Sequence, residues 1–284
     1  MPPEVRSPTV RRRELGAILR SLRLARDMTV EQVAEALLCS QSKVSRMETG
    51  SRAATLRDVR DLCELYGVTD RGEQDHLMDL AREAKQVGWW RGYSLPYTTY
   101  VGLEQEAETM RVYHSAVVPG LFQVADYTRA VHQVGIPRFD DALIEQRVRE
   151  RDTRQEVLAR SSPPRVDVVI DEAVLRRPVG GNGVMSRQLT HMVEIARLPS
   201  VTLQVLPYSV GAHPALESDF IILSFGQRSS RVVYVEGLVG QIYMERPQDV
   251  ERYEQVFDRL RTMAASPRDS IKFIKEIRDS YADD

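Results

Sequence analysis

The sequence predicts a multidomain chain, with an all-α module of five helices followed by a larger domain of α+β (or α/β) class. Three observations predict this. Apolar residues recur at helical spacing up to Lys85, β-branched runs appear only in the second half of the chain, and the front end is basic while the remainder is acidic. With 284 residues, 42% hydrophobic and 28% charged, the composition is that of a globular chain large enough for at least one sizeable core.

The front-end elements follow in order. Leu15, Ile18, Leu19 and Leu22 lie on one face of a first helix. Thr29 opens a second, with Gln32 three residues on as the reciprocal half of a capping box, and Val30, Val33, Ala34 and Leu37 form its apolar face. A third starts at Ser40, turns Val44 and Met47 inward and ends at Gly50, the residue best suited to a left-handed cap. Thr55 with Asp58 opens a fourth, carrying Leu56, Val59, Leu62, Cys63 and Tyr66 and closed by Gly67. A fifth spans about 70–85 through Leu77, Leu80, Ala81 and Ala84. Gly88, Trp89, Trp90, Gly92 and Pro96 then interrupt the periodicity, so the domain reading is 1–86, a linker with aromatic anchors over 87–99, and a second domain over 100–284. There, strands are expected at 165–170, 201–206, 220–224 and 232–235. Helices are expected near 125–134, 141–158, 185–196, 248–263 and 270–280.

Charge narrows the function classes. The net charge of −2 is too low for a chain coated with nucleic acid, but residues 1–57 hold 11 basic against 6 acidic residues, a surplus of 5, while the rest carries −7. Polyanion binding therefore belongs to the front end. No apolar stretch reaches the ~18 to 20 residues of a membrane span, and residues 1–13 lack the apolar core of a secretory signal, so a cytoplasmic protein is expected, nucleoid-associated when on DNA. The two cysteines, Cys39 and Cys63, fall at apolar helical positions and read as core thiols.

The segment 28–50, MTVEQVAEALLCSQSKVSRMETG, has the grammar of a helix-turn-helix: one helix crosses the DNA backbone and the next enters the major groove by its N-terminus. With Val44 and Met47 turned to the core, Gln41, Ser42, Ser45 and Arg46 fall on the opposite face, flanked by Lys43. Arginine can fork onto guanine, glutamine onto adenine, and serine serves a base or a phosphate. The free N–H groups at the helix starts, Thr29 and Ser40, favour phosphates.

This string resembles the Xre (Cro-type) helix-turn-helix of bacterial and phage repressors, and QSKVSRMETG resembles the variant of actinobacterial regulators. The resemblance implies base reading by Gln41, Ser42, Lys43, Ser45 and Arg46, and phosphate contacts from Thr29, Gln32 and Arg52. It also implies a structural ion pair between Arg23 and Glu48. The family usually has glycine in the turn where this chain has Leu38 and Cys39. A leucine at positive φ would cost about 1 to 2 kcal/mol, so a reshaped turn is expected. Farther along, YHSAVVPGLFQVADYTRAV, RERDTRQEVLAR, DEAVLRRPVG, LQVLPYSVGAH and VVYVEG are similar to the C-terminal domain of actinobacterial WhiJ-like, antitoxin-like regulators. That resemblance implies a small BldB-like protein as partner.

Other signals weigh less. The glycines of 179–185 lack the Lys and Ser or Thr of a P-loop and read as a turn. His213 with Glu172 or Glu236 is the one arrangement that would suit an enzyme, but no spacing fixes their approach. His191 and Glu194 share a helix face without a further ligand, so no metal or cofactor is expected. Arg176 and Arg177 read as a surface pair, and the charges of 141–160 as a solvated helix face. The reading is a non-enzymatic, sequence-specific DNA-binding transcriptional regulator, a repressor or context-dependent regulator, that binds operator DNA as a homodimer. Its second domain would use Trp89, Trp90 and the strands 220–223 and 232–235 for association, under control of a partner protein or small ligand. Two other readings stay open: an antitoxin-like scaffold with autoregulatory DNA contact, and an enzyme centred on His213.

Overall fold

The computed structural model describes residues 8–86, 88–93, 96–136, 138–226 and 231–281, and its contacts group the chain into two units, Met1–Glu106 and Ala107–Asp284. The first is all helical: α1 (Pro8–Leu24), α2 (Val30–Ala36), α3 (Gln41–Glu48), α4 (Leu56–Leu65), α5 (Arg71–Glu83), a 3-10 turn at Trp89–Gly92 and α6 (Thr98–Glu106). Its core joins Leu15 and Leu19 of α1 to Val33, Val44, Met47, Val59, Leu62, Tyr66, Leu77 and Leu80. Side chains cap the starts of α2 to α5: Thr29, Ser40, Thr55 and Asp70 each accept an N–H from the third residue of the helix. At Thr29 and Thr55 the capping box is reciprocal.

Three expectations for this unit are corrected. The turn after α2 is not reshaped: Leu38 adopts φ +49 and leaves its side chain 95% exposed, because the backbone path fixes a left-handed residue there whatever its side chain. Replacing Leu38 by glycine is expected to raise stability by about 0.5 to 1 kcal/mol, the relieved strain outweighing glycine's entropic cost. Urea unfolding of the two proteins checks it, and an unchanged midpoint would show that the turn carries no strain. Cys39 lies in that turn rather than on a helix and packs half-buried against the core, while Cys63 is a core thiol. Trp90 is buried rather than offered for association: a side chain on Gly102 of α6 would meet Thr9 Oγ1 at 2.5 Å and Trp90 Cζ2 at 3.0 Å.

The second unit runs β1 (Thr109–His114), α7 (Ala125–Gln133), α8 (Asp141–Gln155), β2 (Arg165–Asp171), α9 (Glu172–Arg176), α10 (Asn182–Ile195), β3 (Val201–Leu206), β4 (Phe220–Ser224), β5 (Val232–Glu236), β6 (Gln241–Met244), α11 (Pro247–Met263) and α12 (Pro267–Ser280). The six strands form one sheet in the order β3-β2-β1-β4-β5-β6. The first three are parallel, joined through helices, and β4 to β6 run antiparallel. Tyr113, Val169, Phe220, Ile222 and Val233 pack on one face with Val250, Phe257 and Leu260 of α11. On the alternate positions Met110, Val112, Val168, Ile170 and Leu223 are buried as well. The chain is thus multidomain, all-α then α+β, as its patterning predicts.

Burial on both faces overturns two further expectations. The runs Phe220–Leu223 and Val232–Tyr234 are interior, so they supply no association surface. Nor is α8 a solvated face: Arg147, Glu150 and Arg154 are buried, with Arg154 Nη1 donating to Glu150 Oε1 at 3.3 Å. Its arginines also act on a neighbour, His132, whose pKa burial pushes down to about 4 with help from Arg151 and Arg147.

Candidate nucleic-acid interface

Helix α3 is set in place from three sides. Val44 and Met47 anchor its inner face in the core. On the α1 side the backbones nearly touch, since a Cβ on Gly16 would lie 2.5 Å from the carbonyl oxygens of both Met47 and Glu48. Gly50, at φ +67, then turns the chain away in a conformation that side chains resist.

Two ion pairs complete the frame. Arg23 on α1 donates through Nε to Glu48 Oε1 at 2.7 Å, through Nη2 to Glu48 Oε2 at 3.0 Å and through Nη1 to the Met28 carbonyl at 2.7 Å. These bonds to Glu48 raise the Arg23 pKa, against the lowering effect of burial. On the other flank Lys43 Nζ lies 2.6 Å from Asp58 Oδ1. Burial alone would raise the Asp58 pKa, but hydrogen bonds from Lys43 and from Thr55 outweigh it and hold the carboxylate below its usual range.

Opposite the core, Gln41, Ser42, Ser45 and Arg46 are exposed together on the α3 face. Gln41 Nε2 donates to Glu31 Oε1 at 3.2 Å, which orients the amide and leaves its oxygen directed by a neighbouring helix. Arg46 Nε donates to the Ser42 carbonyl at 3.1 Å. Thr29 and Gln32 bond to each other at the start of α2, through Thr29 N to Gln32 Oε1 at 2.8 Å and Gln32 N to Thr29 Oγ1 at 3.2 Å. Arg52 is exposed just past α3, its backbone N–H on the Arg46 carbonyl at 2.9 Å. The arrangement presents amide, hydroxyl and guanidinium groups from one rigid helix, the donor and acceptor set that base edges require. Glu31 and Asp58 escaped the sequence reading as orienting residues. Asp58 is legible as a cap, but nothing in the chain links it to Lys43, 15 residues earlier.

The other sequence signals do not converge. His213 Nε2 lies 3.4 Å from the Tyr113 hydroxyl and its Nδ1 accepts the Ala215 N–H at 3.3 Å, whereas Glu172 holds Arg176 at 2.5 Å and the Tyr208 N–H at 2.8 Å. Gly180 and Gly181, both at positive φ, form the turn into α10. Among the described residues no three His, Cys, Asp or Glu side chains cluster to hold a metal ion, and no helix is long and apolar enough to cross a membrane.

Two family models match the chain one after the other. A helix-turn-helix domain family matches residues 14–77, and a domain of unknown function, DUF5753, matches residues 97–276. No curated protein and no solved structure matches the chain.

Proposed function

The chain belongs to the DUF5753 family, whose domain of unknown function follows a helix-turn-helix domain here, and from that pairing we propose a sequence-specific DNA-binding transcriptional regulator. The observation that carries the reading is the exposed polar face of α3, Gln41, Ser42, Ser45 and Arg46, held rigid by a buried apolar face and by the Arg23–Glu48 and Lys43–Asp58 pairs. We assign the four exposed residues to base reading and Thr29, Gln32 and Arg52 to phosphates. Lys43 stands apart, because it reaches a base only on leaving Asp58. Operator contact belongs to residues 1–86, and control to residues 100–284.

In its finer form the protein is an Xre-type repressor with a WhiJ-like control domain, acting as a homodimer on double-stranded DNA and answering to a small BldB-like protein or a ligand. Genome-wide footprinting of the tagged full-length protein, followed by titration of a recovered site, tests the core of this reading. Several phosphate contacts per monomer release counterions, so affinity is expected to fall tenfold or more when salt is raised fourfold. A protein that protects no sites, or whose affinity is indifferent to salt, would overturn the assignment.

A further inference from the structure

The two cations of α3 are held differently. Arg46 is exposed on the reading face and bonds back to its own helix at the Ser42 carbonyl, 3.1 Å away. Lys43 is not on that face: at about 100° per residue it leaves the helix between exposed Ser42 and buried Val44, and its side chain is 25% exposed. There it meets Asp58 of α4, whose Oδ1 lies 2.6 Å from Lys43 Nζ and whose side chain is 12% exposed. That carboxylate cannot follow the lysine outward. Its Oδ2 accepts the Thr55 N–H at 2.9 Å and the Thr55 hydroxyl at 2.8 Å. Burial works against its ionisation, but the bond from Lys43 and those from Thr55 outweigh burial and keep it charged. Magnitudes decide where the ammonium stays. A bond to a charged group in partly buried surroundings shifts an equilibrium by roughly tenfold to a hundredfold, whereas one phosphate contact adds roughly fivefold to affinity at about 0.15 M salt.

We propose that Asp58 is a selectivity-determining residue acting through Lys43: it holds the ammonium away from DNA phosphates, so that discrimination rests on the side chains that read bases. Asp58 is a positioning residue and touches no DNA itself. A lysine is a flexible point charge that finds a phosphate on any duplex, so a free one beside the reading face would strengthen binding to every sequence. The operator complex would gain less. There the base contacts of Gln41, Ser42, Ser45 and Arg46 fix where α3 lies and leave a neighbouring lysine less choice of phosphate. A genome offers far more wrong sites than right ones, so a charge that helps all duplexes draws the protein away from its operator. This role rests on the regulator reading of α3 and adds to it how selectivity is kept.

Titration of two labelled duplexes, a recovered operator and one of scrambled sequence, with the full-length protein at several salt concentrations tests the proposal. Asp58→Asn keeps an acceptor for the Thr55 N–H. It is expected to bind scrambled DNA about fivefold tighter at about 0.15 M salt, with a log–log salt slope steeper by about 0.9, and to gain less on the operator. Damage to the α4 cap would weaken binding, so a gain separates this role from capping, and thermal melting confirms the fold. Lys43→Met/Asp58→Asn should return to within about twofold of the unmodified protein, and to its slope, since the intact pair is silent toward DNA. Glu64→Gln makes the same charge change at an exposed site on α4 and should shift scrambled binding by less than about twofold. Three results would each overturn the assignment: an Asp58→Asn protein no tighter on scrambled DNA, a double variant whose slope falls by about one ion, or a Glu64→Gln gain equal to that of Asp58→Asn. Should Asp58→Asn unfold, the Lys43 ammonium resonance of the unmodified protein decides by NMR. It is expected to stay in place on saturation with scrambled duplex, and a shift as large as that of the Arg46 guanidinium would overturn the assignment equally. An unmodified protein with no salt-dependent affinity for either duplex removes the regulator reading and this role with it, whereas binding without the Asp58→Asn gain removes this role alone.

Discussion

Replacing Glu48 by alanine is expected to destabilise the helical unit by about 3 to 5 kcal/mol, the cost of leaving a buried charge without its partner. Arg23 is only 8% exposed, and its guanidinium places two of its donors on Glu48 and one on the Met28 carbonyl. Without the carboxylate, two donors face a region they cannot leave, because α1 is pinned against α3 at Gly16. A bidentate pair of this geometry should show strong coupling. The variant Arg23→Met/Glu48→Met, which removes both charges, is therefore expected to lose clearly less than the sum of the single substitutions. Urea unfolding of the four proteins measures it. A loss below about 1 kcal/mol for Glu48→Ala would place the pair among ordinary surface bridges. Operator affinity should fall along with stability, because Glu48 ends the helix that carries the reading face.

Arg46→Ala is expected to weaken specific binding by about 1 to 3 kcal/mol, equivalent to roughly 5- to 150-fold, while non-specific binding is nearly retained. Exposed in the last turn of α3, the Arg46 side chain bonds back to its own helix at the Ser42 carbonyl, so its removal is expected to leave the fold in place. Arg52→Ala should behave differently. It follows the helix, exposed, and is assigned to a phosphate, so its loss is expected to weaken all sequences alike and flatten the salt dependence by about one ion. Titrating operator and scrambled duplexes at several salt concentrations separates these patterns. Equal losses on both duplexes for both variants would remove the division into reading and positioning residues.

Legibility in the sequence follows the range of the interactions involved. The caps at Thr29, Ser40, Thr55 and Asp70 connect residues three apart, so a short stretch of chain contains everything that specifies them. The left-handed glycines Gly50 and Gly67 are equally local. Strands β2 to β5 were readable from β-branched runs, but β1, at the centre of the sheet, was not. Its sequence TMRVYH mixes Arg111 and His114 among apolar residues, and only pairing with β2 and β4 makes it a strand. Charge on α8 misled for a related reason: the helix has little amphipathic pattern because Arg147, Glu150 and Arg154 are on its buried side.

What the amino-acid order determined by itself was the division into a helical front and an α+β remainder, the helix starts, and the polar face opposite Val44 and Met47. Each depends on spacing within a few residues, where the 3.6-residue period and the geometry of capping leave few alternatives. Tertiary structure alone decided the rest. It brought Lys43 to Asp58 and Glu31 to Gln41, and buried Arg147, Glu150 and Arg154 of α8. These outcomes depend on which distant segments meet, and the free energy that selects them comes from burying apolar surface, a force that specifies no partner until the whole chain has packed.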